Sequence, residues 1–149
     1  MEIQETFEYT KHIINTVNDP LIILFDDLKV ALANRSFYQM FRVTEKETEE
    51  KFIYELGNHQ WDIPELRHLL EEILPKNTSF DNYKIEHHFP GIGKRTMSLN
   101  ACRIYLKEDR TRLIALTFKD ITEHEKIDEL RRKIAELKDQ LRQTRRHKS

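Results

Sequence analysis

The sequence predicts an α+β domain: a five-stranded antiparallel sheet with helices on one face, an amphipathic helix before it and a coiled-coil helix after it. Three observations carry this reading. Apolar residues alternate, or run without interruption, in five stretches of strand length. Helix signals cluster between the second and third of these stretches. The last strand then passes almost without a loop into apolar residues spaced three and four apart. At 149 residues the chain holds one domain with a real core and one appended element.

Taken in order, residues 2–17 ("EIQETFEYTKHIINTV") place Ile3, Phe7, Ile14 and Val17 near one helical stripe, and "NDP" at 18–20 ends that helix. "LIILFD" (21–26) is too short for a helix and reads as a strand covered on both faces. Asp26 and Asp27 make a turn, and "LKVALAN" (28–34) returns as its hairpin partner. "NRSFYQMF" (34–41) reads as a short helix capped by Asn34, with Phe37 and Phe41 facing inward. A second helical stretch is expected over 44–56, where Thr44 and Glu47 fit a capping box. The clearest helix signal is "DIPELRHLLEEIL" (62–74), with Asp62 as cap, Pro64 in the first turn and Pro75 as stop. Ile63, Leu66, Leu69, Leu70, Ile73 and Leu74 form its apolar stripe.

Three strands follow. Tyr83, Ile85, His87 and Phe89 share one face of the first, "PGIGK" (90–94) supplies turn chemistry, and Met97, Leu99 and Ala101 alternate on the second. On the third (112–120), Ile114, Leu116 and Phe118 share one face while Leu113 and Ala115 occupy the other. The first and last strands therefore carry two apolar faces. An antiparallel sheet ordinarily needs one covered side, so the helix at 2–17 or a second copy of the chain is expected over the outer face.

Composition bounds the function. Charged residues reach 34% against 38% apolar, polar enough that part of the chain is expected to stand in solvent. No apolar run reaches 18 residues and no basic-then-apolar leader opens the chain, which reads as a soluble, cytoplasmic protein with no membrane contact. The single Cys102 excludes an internal disulfide and argues against a thiolate metal cluster. Residues 131–149 carry a net +6 and residues 1–130 a net −7, a basic end on an acidic body. A solvated helix accounts for this better than a nucleic-acid site, so nucleic acid is not expected as a partner. The organisation is thus an N-terminal helix (1–17), a domain (18–121) and a C-terminal helix with a basic tail (122–149).

Three pieces of sequence, "DPLIILFDDLKVALANRSFYQMF", the turn "FPGIGKR" and the closing "FKDIT", together resemble a PAS domain over roughly residues 10–126. The stretch "GNHQWDIPELRHLLEEILPKNTSF" is more similar to PAS modules of multidomain bacterial or archaeal signalling proteins, including histidine kinases and chemotaxis methyltransferase and methylesterase fusions. The resemblance implies strand order 2-1-5-4-3 and a ligand, when present, between sheet and helices. It also implies that the Asp120-Ile121-Thr122 junction relays movement of the sheet to the following helix.

In that junction, Thr122 fits an N-cap and Glu125 the third helical position. Beyond it, Ile127, Leu130, Ile134, Leu137 and Leu141 recur as an a/d seam, a pattern suited to a two-stranded coil. Each seam residue, if fully buried, contributes about 1.5–3 kcal/mol, enough to reinforce a homodimer. The e positions Arg131, Lys138 and Arg145 and the g positions Lys126, Lys133 and Gln140 leave opposite charges unmatched in either orientation. Dimerisation is therefore expected to depend mainly on the domain.

Chemistry is sparse. Gly57, Gly91 and Gly93 fit no phosphate-loop spacing, and "HEKID" around His124 lacks the pattern of a kinase phosphoacceptor. For haem, His68 on the long helix falls opposite the apolar stripe at about 100° per residue, His59 lies near the helix entrance, and His87 is the better placed, facing inward. For flavin, "GNHQWD" has no cysteine where the light-sensing branch of the family needs one, and Trp61 reads as a packing residue. Neither haem nor flavin is supported, and no metal is expected. The candidate ligand pocket is Phe41, Leu70, Tyr83, His87, Met97 and Leu116.

The sequence thus reads as a sensory and dimerisation module of a signal-transduction protein, such as a two-component system, without enzymatic activity of its own. Its expected partners are a second copy, an unknown small-molecule ligand and an output domain, with the chain ending inside the linker to that domain. The alternative is a stand-alone adaptor whose basic coil binds an acidic partner or nucleic acid.

Overall fold

The computed structural model describes residues 3–89, 91–106 and 111–148. Helix α1 (Ile3–Ile14) leads into strand β1 (Leu21–Phe25) and strand β2 (Val30–Ala33). Helices α2 (Arg35–Phe41), α3 (Glu45–Thr48), α4 (Leu56–His59) and α5 (Pro64–Arg67) follow. Strands β3 (Ser79–Phe89), β4 (Gly93–Leu106) and β5 (Thr111–Asp120) then complete the sheet, and α6 (Thr122–Lys148) leaves it. The strand order is β2-β1-β5-β4-β3 with every pairing antiparallel, as the resemblance implied.

The sheet is apolar on both sides at its β1–β5 centre. Ile22, Leu24, Leu99, Leu116 and Phe118 are fully covered on the helix side. On the outer side, Ile23, Leu32 and Leu113 form a second, smaller cluster closed by Ile14 of α1. The N-terminal helix therefore supplies cover for the outer face within one chain. Among the described side chains it does so through Ile14 in its last turn, while Tyr9 and Ile13 remain exposed. The side chains of Ile3 and Phe7, expected on the same stripe, lie outside the described residues.

The β1–β2 hairpin is tighter than expected. Leu28 takes a left-handed φ of 71°, and the Asp27 carboxylate accepts the Lys29 N–H at 3.0 Å. Residues 28 and 29 thus belong to the turn, and the strand starts at Val30. At the other hairpin, Gly91 and Gly93 have φ of 86° and 83°, the left-handed geometry that glycine adopts without a Cβ penalty.

The helix read over 62–74 is divided. Pro64–Arg67 is α-helical, His68–Ile73 widens into a π-helical turn, and Leu74–Lys76 tightens to a 3₁₀ turn that contains Pro75. Asp62 does not cap it. Ile63 occupies that position, and the Asp62 carboxylate instead accepts Arg67 Nε at 2.7 Å. A carboxylate paired with a guanidinium forms a stronger bond than one to a neutral backbone N–H. The apolar stripe survives the change in winding, with Ile63, Leu66, Leu69, Leu70 and Leu74 buried. The stretch 44–56 is likewise shorter and broken. Thr44 caps α3 by accepting the Glu47 N–H at 3.2 Å, and the chain then crosses Lys29 at Phe52.

Candidate functional site

Two regions bear on function: the interior between sheet and helices, and the junction where the sheet becomes α6. In the interior, Phe37 and Phe41 project from α2, Phe89 from β3 and Phe118 from β5. Phe41, Phe89 and Phe118 converge on Trp61, whose ring centroid lies 4.7–4.8 Å from theirs, and Phe37 backs Phe41 and Phe118 at 5.0 and 5.7 Å. Trp61 is fully buried. It is delivered there by a backbone reversal in which Gly57 and His59 both take left-handed φ, 54° and 64°. A Cβ at Gly57 would stand 1.7 Å from the Gln60 amide nitrogen and would displace that side chain, and the positive φ there adds strain for any other residue. Among the described residues, the indole Nε1 and Gln60 Oε1 are buried without hydrogen-bond partners.

The residues proposed for a ligand pocket separate into two groups around this cluster. Phe41, Leu70, Met97 and Leu116 lie in the core, each at most 3% exposed. Tyr83 is half-buried and stacks edge-on to Phe80. Its hydroxyl pKa is raised by burial and by Glu65. His87 does point to the inner side, but it stays half-buried at the rim with its ring edge-on to Phe89 at 5.1 Å. His68 faces water and pairs with Glu72 one turn on, as its position opposite the stripe required. Among the described residues, no group of three or more histidines, cysteines or acids is placed to hold a metal ion.

The junction is built from short, strong contacts. The Ile121 N–H donates to the Thr96 carbonyl at 2.9 Å, extending the β4–β5 ladder one residue past Asp120. Thr122 Oγ1 accepts the Thr96 N–H at 2.9 Å and donates to Asp120 Oδ1 at 2.5 Å. The same carboxylate oxygen accepts the Thr122 N–H at 3.0 Å, and Oδ2 meets Arg95 Nη1 at 3.2 Å. The Ile121 carbonyl accepts the first intrahelical bond, from Glu125 N–H at 2.9 Å.

These bonds correct the expected capping box. Ile121 holds the cap position, Thr122 is the first helical residue, and Asp120 receives the free N–H at the helix start. Glu125 is one place too far to return to the cap and pairs with Lys84 of β3 at 2.6 Å. The Thr122 hydroxyl is claimed by β4, 26 residues away in sequence, a partner no local pattern reveals. Beyond the junction the seam residues Ile127, Leu130, Ile134, Leu137 and Leu141 are 46–66% exposed on the single chain.

Beside the start of β1, sequence reasoning missed the reach of one side chain. Asn34 does cap α2, accepting the Phe37 N–H at 3.0 Å. Its Oδ1 also accepts Leu21 N–H at 2.9 Å, and its Nδ2 donates to the carbonyls of Ile14 (3.1 Å), Val17 (3.3 Å) and Asp19 (3.0 Å). One fully buried amide thus ties the end of α1, the first strand and α2 together. Its cap role was readable; its partners 13–20 residues back were not.

The family model described as the PAS fold matches residues 14–126. The chain belongs to the PAS family. The PAS domain of BvgS from Bordetella pertussis is similar over 91% of this chain and 98% of its own, with 20% identity and a TM-score of 0.63. The PAS domain of nitrogen regulation protein NR(II) from Vibrio parahaemolyticus is similar over 75% of this chain and 97% of its own, at 18% identity and a TM-score of 0.60. An RNA-binding light-oxygen-voltage receptor matches 94% of this chain with 39% of its own, at 11% identity and a TM-score of 0.69. At these identities the likenesses carry the fold. No curated protein sequence matches the chain. No helix among the described residues of this PAS domain is long and apolar enough to cross a membrane.

Proposed function

We propose that this PAS domain is the sensory and dimerisation module of a signal-transduction protein and is not itself an enzyme. Movement of the sheet, induced by a ligand or partner, passes through Asp120-Ile121-Thr122 into α6, which pairs with a second copy along Ile127, Leu130, Ile134, Leu137 and Leu141. The observation that carries this reading is the grip of a single β4 residue on the start of the helix. Thr96 bonds Ile121 through its carbonyl and Thr122 through its N–H, both at 2.9 Å. Only Ile121 lies between β5 and α6, and its bond to Thr96 supports a joint in which displacement of the sheet displaces the rod. The family match and the PAS domains of sensor proteins among the structural neighbours support the signalling role.

The test joins the chain, after residue 148 and in heptad register, to a histidine-kinase catalytic region. The T122V chimera is expected to shift the basal autophosphorylation rate while the sheet stays folded by circular dichroism. An unchanged rate contradicts the relay. Sedimentation velocity of the chain itself is expected to show a monomer–dimer equilibrium that I134E weakens; a monomer throughout, or an unaltered dimer in I134E, contradicts the pairing.

A second reading rests on charge. Residues 131–148 hold eight Lys/Arg against two acids, and their side chains are exposed wherever described, which suits an adaptor whose helix binds an acidic partner. Binding of a polyglutamate peptide that R131Q/R132Q weakens, without any dimer, favours that reading.

A further inference from the structure

A concavity of about 580 Å³ opens at the end of the domain remote from the α6 junction, between the β1–β2 turn, the end of the α5 region and the free end of the β4–β5 hairpin. Its size lies within the range of small-molecule sites. It is separate from the aromatic interior, since Trp61, Phe41, Phe89 and Phe118 take no part in it.

The register of the hairpin explains its chemistry. Arg103 pairs with Ile114 and Tyr105 with Arg112 across β4 and β5, and directly opposed residues project from the same side of a sheet. This is the side on which Leu99, Ala101, Leu116 and Phe118 enter the core. The helices stop short of this end, so the inner face here carries two arginines and a tyrosine beside Ile114. Facing them, Leu70 and Leu74 supply an apolar wall.

Among the described residues the arginines are held but not neutralised. Arg103 Nη1 donates to the Pro75 carbonyl at 3.3 Å across the groove. The Arg112 guanidinium lies 6.0 Å from the Tyr105 ring centre. Among the described residues neither is paired with a carboxylate. Glu71, on the helix rim of the groove, turns to Arg67 at 3.8 Å. Asp26, on the turn, lines the mouth as an exposed carboxylate.

We propose that this groove binds a small organic monocarboxylate with an apolar body. The carboxylate meets Arg103 and Arg112, whose planar donor forks suit two parallel bonds to its oxygens. An aryl or alkyl body lies against Leu70, Leu74 and the face of Tyr105. Asp26 and Glu71 at the rim repel a second negative charge, which selects mono- over dicarboxylates. The inference goes beyond the signalling role and stands without it. Because β5 runs from Arg112 directly to Asp120, an occupant would sit at the far end of the strand that feeds α6.

The test uses the full chain, methyl-labelled for NMR, with phenylacetate as probe and 2-phenylethanol and phenylmalonate as controls. Phenylacetate is expected to shift the Leu70, Leu74 and Ile114 methyls saturably. The neutral alcohol and the dianion should bind at least about tenfold more weakly, and R103Q/R112Q should weaken phenylacetate by about tenfold or more, the scale of a lost charge-assisted bond. Both arginines are exposed, so the double variant should retain its fold, and an unchanged methyl spectrum away from the groove verifies this. No saturable shift, equal binding of the alcohol, or binding indifferent to R103Q/R112Q overturns the proposal. Shifts confined to residues around Trp61 overturn it as well, by placing the ligand in the interior.

Discussion

Replacing Asn34 by alanine removes five hydrogen bonds from a side chain with no solvent exposure. Loss of the α2 cap alone costs about 0.5–2 kcal/mol. The Leu21 N–H, left without its acceptor in a part-buried setting, adds roughly 1 kcal/mol or more. Of the carbonyls that lose their shared donor, those of Val17 and Asp19 are in part-buried settings, whereas the bond to Ile14 is buried and its loss adds roughly another 1 kcal/mol. Together these give about 2.5–4 kcal/mol, or a fall in Tm on the order of 10 °C for a chain of this size. Urea unfolding measures the total, and amide exchange locates it. Asn34→Ala should speed exchange throughout the last turn of α1, because three of the five bonds end on or just beyond that helix. Asn34→Asp keeps the acceptor for Phe37 but faces a carboxylate to three carbonyl oxygens, so it should be no more stable than alanine. A loss below about 1 kcal/mol, with α1 exchange unchanged, would refute the view that this amide fastens the helix to the sheet.

Two further outcomes follow from the same reasoning. Thr122→Val keeps the shape but removes the acceptor for Thr96 N–H and the bond to Asp120, and should cost about 1–2 kcal/mol in urea unfolding, with faster exchange confined to Thr96 and the first turn of α6; uniform destabilisation would contradict a local tie. At the α1–α3 contact, the Lys11 hydrogen bond at 2.8 Å holds the Glu45 carboxyl below its ordinary value of 4.5, while burial raises its neighbour Glu49. A carboxyl lowered in the fold stabilises above its unfolded pKa and loses that contribution as pH falls through the folded one. Glu45 therefore favours docking of α1 at neutral pH and releases it in the acid range, whereas Glu49, raised by burial against the pull of Lys11, disfavours its ionised form in the fold as pH rises through its own value. Carboxyl titration by NMR should show Lys11→Met returning Glu45 towards 4.5; an unmoved midpoint would mean that the ion pair does not persist in solution.

Much of the architecture was legible because it rests on local pattern. Two-sided apolar strands at 21–25 and 111–120 announced a sheet covered on both faces, and Ile14 supplies the outer cover. Alternation along β3 placed Tyr83, His87 and Phe89 on the correct side, and the α6 seam is a simple 3,4 repeat. What escaped notice depends on partners distant in sequence. Asp62 looked like a cap until Arg67, five residues on, competed for its carboxylate. Thr122 looked like a cap until the Thr96 N–H from β4 reached its hydroxyl. Trp61 was recognised as a packing residue, but its place at the centre of the interior follows from the left-handed backbone at Gly57 and His59. His87 was given more depth than it has, because alternation specifies a face and not the distance from the sheet edge. The Arg103–Arg112 groove went unread because pairing of those strands, not either strand alone, brings its charges together.

The central claim is mechanical: the joint between β5 and α6 is stiff. Backbone ¹⁵N relaxation across Lys119–His124 tests it most directly. Order parameters near 0.85, the level of rigid backbone, are expected to run without a dip from β5 through Ile121 and Thr122 into the helix. Values below about 0.6 at Ile121–Glu123, between a rigid strand and a rigid rod, would show a hinge where the relay needs a lever.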